Sequence, residues 1–216
     1  FSKARYNRGN ARLSRGDRQG ALEDCETAMQ AAMAPDERLM MELARSTILM
    51  ALGRVGEGWD AYEARLQPAF ADVTHYLIDR PKWTPESDLA GRTLLVIGEQ
   101  GLGDEVMFAN VLPDLVEALG PNGRLILAIE PRLVPLFQRS FPDALVGPHA
   151  TFKVDARSVR GVTFLDDLEA VDLWTPIGSL LRRFRRTVEA FPSRPRFLTA
   201  DPARVEHWRS TLSPLP

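Results

Sequence analysis

The sequence offers almost no sulfur or imidazole chemistry. Its single cysteine, Cys25, excludes an intramolecular disulfide, and its three histidines, His75, His149 and His207, stand too far apart for metal-ligand spacing. No metal is expected, and a reducing, cytoplasmic setting suits a chain that needs no disulfide. Long apolar runs are missing too. Nothing approaches the roughly 18 to 20 apolar residues of a membrane helix, and Phe1 opens no basic-then-apolar signal pattern, so no membrane span is expected. Nor is there a surplus of charge. With 27 Lys and Arg against 29 Asp and Glu, the formal net charge is −2, which gives no electrostatic reason to expect nucleic acid as a partner. What is present is globular in balance: 216 residues, 44% hydrophobic and 26% charged, can bury a core in one large or two small domains. A start without Met and an end on Ser213-Pro214-Leu215-Pro216 lead us to expect a piece of a longer chain.

An internal repeat organises the first third. Gly16-Asp17-Arg18-Gln19-Gly20-Ala21-Leu22 aligns with Gly53-Arg54-Val55-Gly56-Glu57-Gly58-Trp59 at an offset of 37 residues. A helix precedes each glycine turn (3–14 and 38–52) and another follows it (18–32 and 57–66). The layout resembles the tetratricopeptide repeat, with a plain helical bundle as the alternative. In the first copy Gly9, Ala21 and Ala28 fall where that family places small residues, and Pro35 ends the unit. Arg5, Arg8 and Arg12 depart from it, standing where larger apolar residues are usual. Met29, Met33, Met40, Met41 and Met50 read either as core or as an adaptable binding surface. Between Gln67 and Gly91 periodicity lapses among Pro68, Pro81 and Pro85, which reads as a linker pinned by Trp83.

From Thr93 the pattern alternates strand and helix. Thr93–Ile97 is an apolar run suited to a buried parallel strand. A glycine turn follows, then a helix over 104–119, the strand Arg124–Ile129 and a helix opened by Pro131. Further strands are expected at 145–146, 162–164 and 171–174, and helices at 178–186 and 203–212. The expected fold class is therefore α + α/β, a short helical repeat arm followed by a Rossmann-like three-layer half-domain. The boundaries are 1–68 for the repeats, 69–91 for the linker and 92–216 for the half-domain.

The turn Gly98-Glu99-Gln100-Gly101-Leu102-Gly103-Asp104 occupies the carboxyl edge of the first strand, where open α/β folds bind ligands. A dinucleotide fingerprint is the first reading, with Glu130 as a ribose partner. However, the glycines are spaced GxxGxG rather than GxGxxG, and Glu99, Asp104 and Glu105 would crowd a pyrophosphate. The same acidic turn suits a hydroxylated acceptor, with Asp104 either taking a proton from the attacking hydroxyl or serving as a plain helix cap. His149 reads either as a second pocket residue or as an ordinary loop histidine. The run Arg182-Arg183-Arg185-Arg186 reads as a solvated helix face or a phosphate contact.

The stretch from Trp83 through Leu89-Ala90-Gly91-Arg92-Thr93-Leu94-Leu95-Val96 into Glu99-Gln100-Gly101-Leu102-Gly103-Asp104 resembles bacterial proteins in which tetratricopeptide repeats precede a glycosyltransferase domain of the GT-B type. That domain is similar to heptosyltransferases and O-GlcNAc transferases. The similarity continues through Glu130-Pro131-Arg132-Leu133, Ser140-Phe141-Pro142, Ile177-Gly178-Ser179-Leu180 and Arg196 to Asp201. It implies a metal-independent, inverting transfer with Asp104 as catalytic base and Glu99, Gln100, Gly101, Gly103 and Phe108 shaping the substrate pocket. Asn110 and Val111 replace an Arg-Tyr pair common in such relatives. The resemblance further implies no cofactor bound by these residues, a nucleotide sugar as donor held by a second Rossmann half that this chain lacks, and an acceptor protein recruited by residues 1–68, such as a bacterial surface protein or flagellin. The alternative is a non-catalytic, repeat-based adaptor or chaperone with a degenerate transferase domain.

Overall fold

A computed structural model describes residues 1–194 and 196–213; the Pro214–Pro216 end of the predicted half-domain, and Pro195 within it, lie outside the described residues. In chain order the elements are α1 (Ser2–Ser14), α2 (Arg18–Gln30), α3 (Pro35–Ala51), α4 (Val55–Tyr62), β1 (Thr74–Tyr76), β2 (Thr93–Ile97), α5 (Leu102–Phe108), α6 (Leu112–Leu119), β3 (Arg124–Ile129), α7 (Val134–Ser140), β4 (Leu145–Val154), β5 (Arg157–Val162), β6 (Leu173–Pro176), α8 (Leu181–Phe184) and α9 (Pro202–Leu212). Helix and strand are mixed, as expected. Two compact units share them. The first combines Phe1–Leu77, Thr151–Arg160 and Ser179–Pro192; the second combines Ile78–Ala150, Gly161–Gly178 and Ser193–Pro216.

In the first unit α1 to α4 form two helical hairpins. The aligned glycines explain the repeat physically: Gly16 and Gly53 sit just past α1 and α3 at φ 85° and 79°, the left-handed conformation that ends a helix cheaply only with glycine. Asp17 then caps α2, accepting the Gly20 N–H at 3.0 Å. Gly9, Ala21 and Ala28 are buried, and where α1 meets α2 a Cβ on Gly9 would lie 3.1 Å from the Ala21 carbonyl oxygen. The arginines that depart from the repeat pattern have a local purpose. Arg8 grips the buried Asp24 of α2 with both arms of its fork, one at 2.7 Å, while Arg12 reaches the same carboxylate at 3.2 Å and the Gly20 carbonyl at 3.1 Å. Met41 belongs to the core with Leu22, Cys25, Ile48 and Leu49, whereas Met33 is exposed.

The unit also holds strands. β1 runs parallel to β5, pairing Thr74 with Ser158 and Tyr76 with Arg160. Thr151–Val154 and Arg157–Arg160 face each other across a two-residue turn in which Asp155 and Ala156 both have positive φ, 47° and 65°, as an antiparallel hairpin favours.

The second unit is built on four parallel strands in the order β4-β3-β2-β6. Parallel neighbours need crossovers, here α5 with α6 and then α7. Leu94 to Ile97 and Leu127 to Ile129 are fully buried, as strands covered on both faces should be. Residues 69–91 are more structured than a linker pattern suggests. β1 lies in them, Trp83 and Leu89 are buried, and Trp83 N–H and Trp174 N–H bond across to Trp174 and Pro81 carbonyls to add a short parallel bridge beside β6.

Several expected elements shift. The helix expected over 104–119 breaks into α5, a 3-10 turn at Ala109–Val111 and α6, because Pro113 at the start of α6 has no N–H for a continuous ladder. The strand expected at 162–164 is instead β5, ending at Val162; the Phe164 ring lies against Gly147, where a Cβ would overlap it. The helix expected over 178–186 shrinks to a 3-10 turn at Ile177–Leu180 followed by α8.

Candidate functional site

The turn after β2 lies at the carboxyl edge of the parallel strands. Gly98 N–H extends the ladder to the Ala128 carbonyl at 2.7 Å, and Gln100 then takes φ 60°, unusual for a non-glycine residue. Gly101 is the N-cap of α5, which places Leu102, Gly103, Asp104 and Glu105 in its first turn.

The three carboxylates that crowd the turn in sequence separate in space. Glu99 is only 2% exposed, and its Oε1 accepts the Gly178 N–H just beyond β6 at 2.7 Å. Glu105 is 1% exposed. Its Oε2 accepts the Glu130 N–H at the end of β3 at 2.8 Å, and its Oε1 shares a 2.9 Å hydrogen bond with His149 Nε2 on β4. Gly98 makes room for this, since a Cβ there would overlap the Glu105 carboxyl group. Asp104 alone reaches the rim. It is half-buried, and its Oδ2 accepts the Gly101 N–H at 3.0 Å. Asp104 is thus the third helical residue reaching back to the cap, rather than the cap itself.

The expectation that three carboxylates repel a phosphate here is corrected to one, because Glu99 and Glu105 point inward onto backbone N–H groups. That one still competes, since Asp104 already holds the Gly101 N–H that an anion would need.

The remaining expected site residues divide. Gln100, Gly101 and Gly103 are exposed beside Asp104, and a Cβ on Gly103 would meet nothing within 4 Å. Glu99 and Phe108 are core: Phe108 is 3% exposed at the far end of α5. Val111 is fully buried, and the Asn110 side-chain amide donates to the Met107 carbonyl at 2.5 Å. Glu130 binds Arg132 at 2.6 Å. His149, which reads in sequence as a pocket candidate or an ordinary loop histidine, is a buried partner of Glu105 on β4 instead. The Arg182–Arg186 run is not a plain solvated face. In the first unit Arg182 and Arg186 both bind Asp60 of α4, at 3.2 and 2.8 Å, and Arg185 is buried.

Sequence reasoning missed Glu105 as an organising residue. Its partners are 25 and 44 residues away, so no local motif marks it. The one available signal is Gly98, a glycine with no positive φ whose smallness needs a neighbour to explain it.

A hollow of about 740 Å³ in this unit opens at the other edge of the strands, lined by Val116, Leu119, Leu125, Phe141 and Phe197 among others. Among the described residues no group of three or more His, Cys, Asp or Glu side chains is placed to hold a metal ion, and no helix is long and apolar enough to cross a membrane.

No family model matches the sequence, and no solved structure matches it. Over 215 residues the chain is 51% identical to the protein FlbA of Caulobacter vibrioides, a match that covers 100% of this chain and 36% of that protein, so the chain spans about a third of its relative's length.

Proposed function

We propose that this chain is the acceptor-side part of a metal-independent, protein-directed glycosyltransferase of the GT-B type, with Asp104 as its base. The observation that carries the reading is the posture of Asp104. One carboxylate oxygen is held by the Gly101 N–H, and the other has no hydrogen bond among the described residues, at the strand edge where α/β folds bind ligands. In the step proposed, the free oxygen takes the proton of an acceptor hydroxyl. The hydroxyl oxygen bonds to the anomeric carbon of a nucleotide sugar, the bond from that carbon to the phosphate oxygen breaks, and its electron pair leaves with the nucleotide. Exposed Gly101 and Gly103 let the acceptor approach the backbone closely, with Gln100 beside them.

The two helical hairpins, with their buried small residues, support a tetratricopeptide-like arm that recruits the acceptor protein, a bacterial surface protein or flagellin. The donor sugar is assigned to a second Rossmann half in the longer protein, in keeping with the chain spanning 36% of a bacterial relative. The setting is cytoplasmic. A second reading, a repeat-based adaptor with a degenerate transferase domain, is favoured by Asn110 and Val111, which the fold spends on a backbone carbonyl and on the core.

The test is transfer of labelled sugar from UDP-N-acetylglucosamine, GDP-mannose and CMP-N-acetylneuraminate into lysate protein by the full-length enzyme. Asp104→Asn, with unchanged melting, is expected to cut transfer by about 100-fold or more. A rate within about threefold of wild type refutes the base, and no transfer by the wild type from any of the three donors favours the adaptor.

A further inference from the structure

Asp104 and Glu105 are neighbours on the first turn of α5, so their side chains leave the helix about 100° apart. Fixing one therefore fixes the direction of the other. Glu105 is fixed at three points. Its carboxylate lies over Gly98 at the end of β2, accepts the Glu130 N–H at the end of β3, and shares a hydrogen bond with His149 on β4. His149 is itself buried, so the anchor is not a solvent-averaged contact. On the other shoulder of the turn, Glu99 is tied to the Gly178 N–H after β6.

We propose that Glu105, backed by His149, is the positioning residue of the site. By locking the first turn of α5 onto the ends of β2 and β3 and the middle of β4, it holds the Asp104 carboxylate on the Gly101 N–H and turns its second oxygen outward. The proposal rests on Asp104 as the acceptor-side base, and it adds a pair that neither a glycine motif nor the acidic run would single out. An acid suits the position because one carboxylate can accept from the Glu130 N–H and engage His149 at once. Neither group touches the acceptor, so the pair acts through Asp104 alone.

Two readouts on the full-length protein test it. The first is hydrogen–deuterium exchange resolved at the Gly101 amide, which needs no substrate. Glu105→Ala is expected to speed exchange there about tenfold while the amides of β2 and β3 exchange as in wild type, and Glu105→Gln, which keeps an acceptor for Glu130, is expected to stay within about threefold. The second is transfer kinetics with whichever of UDP-N-acetylglucosamine, GDP-mannose and CMP-N-acetylneuraminate is turned over. Glu105→Ala is expected to lower kcat at least tenfold with little change in acceptor KM, and Glu105→Gln to restore most of it. If Glu105→Ala does not fold, His149→Asn removes one anchor only and is expected to speed Gly101 exchange by a smaller factor. Unchanged Gly101 exchange in a folded Glu105→Ala or His149→Asn overturns the proposal. Failure of the base reading shows separately, as an Asp104→Asn enzyme that still transfers; the Gly101 amide then still decides whether the clamp exists.

Discussion

Gly98 and Gly103 stand five residues apart in one turn and serve opposite ends. At Gly98 a Cβ would overlap the Glu105 carboxyl group, whereas at Gly103 it would enter open space on a helix. Gly98→Ala should therefore cost about 1–3 kcal/mol, the range for overpacking a filled site, measured as a lower denaturant midpoint. Gly103→Ala should leave stability unchanged or raise it by up to about 0.5–1 kcal/mol, because alanine is the better helix former. If the proposed function holds, Gly103→Ala should lose transfer activity all the same, since the added methyl would stand where the acceptor approaches. A stable and fully active variant would show that the glycine serves no ligand. The sequence displayed both glycines as one motif and could not tell them apart, since what distinguishes them is a carboxylate brought in from the next turn. Cys25 illustrates another effect of surroundings. Burial pushes its thiol up to about 11, so it should resist alkylation in native protein at pH 8. With the folded value above the unfolded one, its contribution to stability is complete below about pH 9 and is lost as the pH rises towards 11. A Cys25→Ser variant, compared by denaturant titration at pH 8 and 10.5, should show a smaller fall between the two than wild type.

Among elements, the α1–α2 hairpin is joined by charged contacts as well as apolar ones. Arg5, Arg8 and Arg12 read in sequence as departures from a tetratricopeptide pattern, and two of them turn out to hold the hairpin together through Asp24. The hydrogen bond from Arg8 and the charges of Arg12 and Arg8 hold the Asp24 carboxyl below the usual range despite the opposing effect of burial. The sign follows: the contribution is present above about pH 4, the ordinary aspartate value, and is lost as the pH falls further through the depressed folded value. Asp24→Asn should lower the melting temperature at pH 7, and the difference from wild type should shrink as the pH is lowered towards 3. A constant difference would assign the effect to shape instead of charge. The helix pairs themselves were legible, since glycine at Gly16 and Gly53 is a backbone requirement visible in one dimension. The break at Pro113 was legible in principle, whereas the ion pairs of Arg182 and Arg186 with Asp60 join residues more than 120 apart and were not.

For the molecule as a whole, the alternation of apolar runs and helices from Thr93 announced the parallel strands, because burial on both faces demands nearly continuous apolar sequence. It did not announce β1 or the Thr151–Val154 part of β4, whose residues are half-buried or exposed and carry no such pattern. Helix α9 was expected from its cap, Asp201, yet none of its residues is buried; Val205, Trp208 and Leu212 are all exposed. Deleting residues from Asp201 onward should therefore change the melting temperature of the rest by no more than about 2 °C, since little apolar area is lost from any core. A larger drop would show that the helix contributes to folding. The composition of the first unit has a temporal consequence. Helices α1 to α4 are complete by Leu77, but two other pieces of the unit, Thr151–Arg160 and Ser179–Pro192 with α8, are made only after most of the second unit. At typical bacterial synthesis speeds of roughly 10 residues per second, the leading helices wait on the order of ten seconds for the strand and the arginines that finish them. On the ribosome the first unit is therefore an unfinished body until most of the second has emerged, and a nascent chain stalled before Thr151 should expose it to chaperones and proteases that the finished protein escapes.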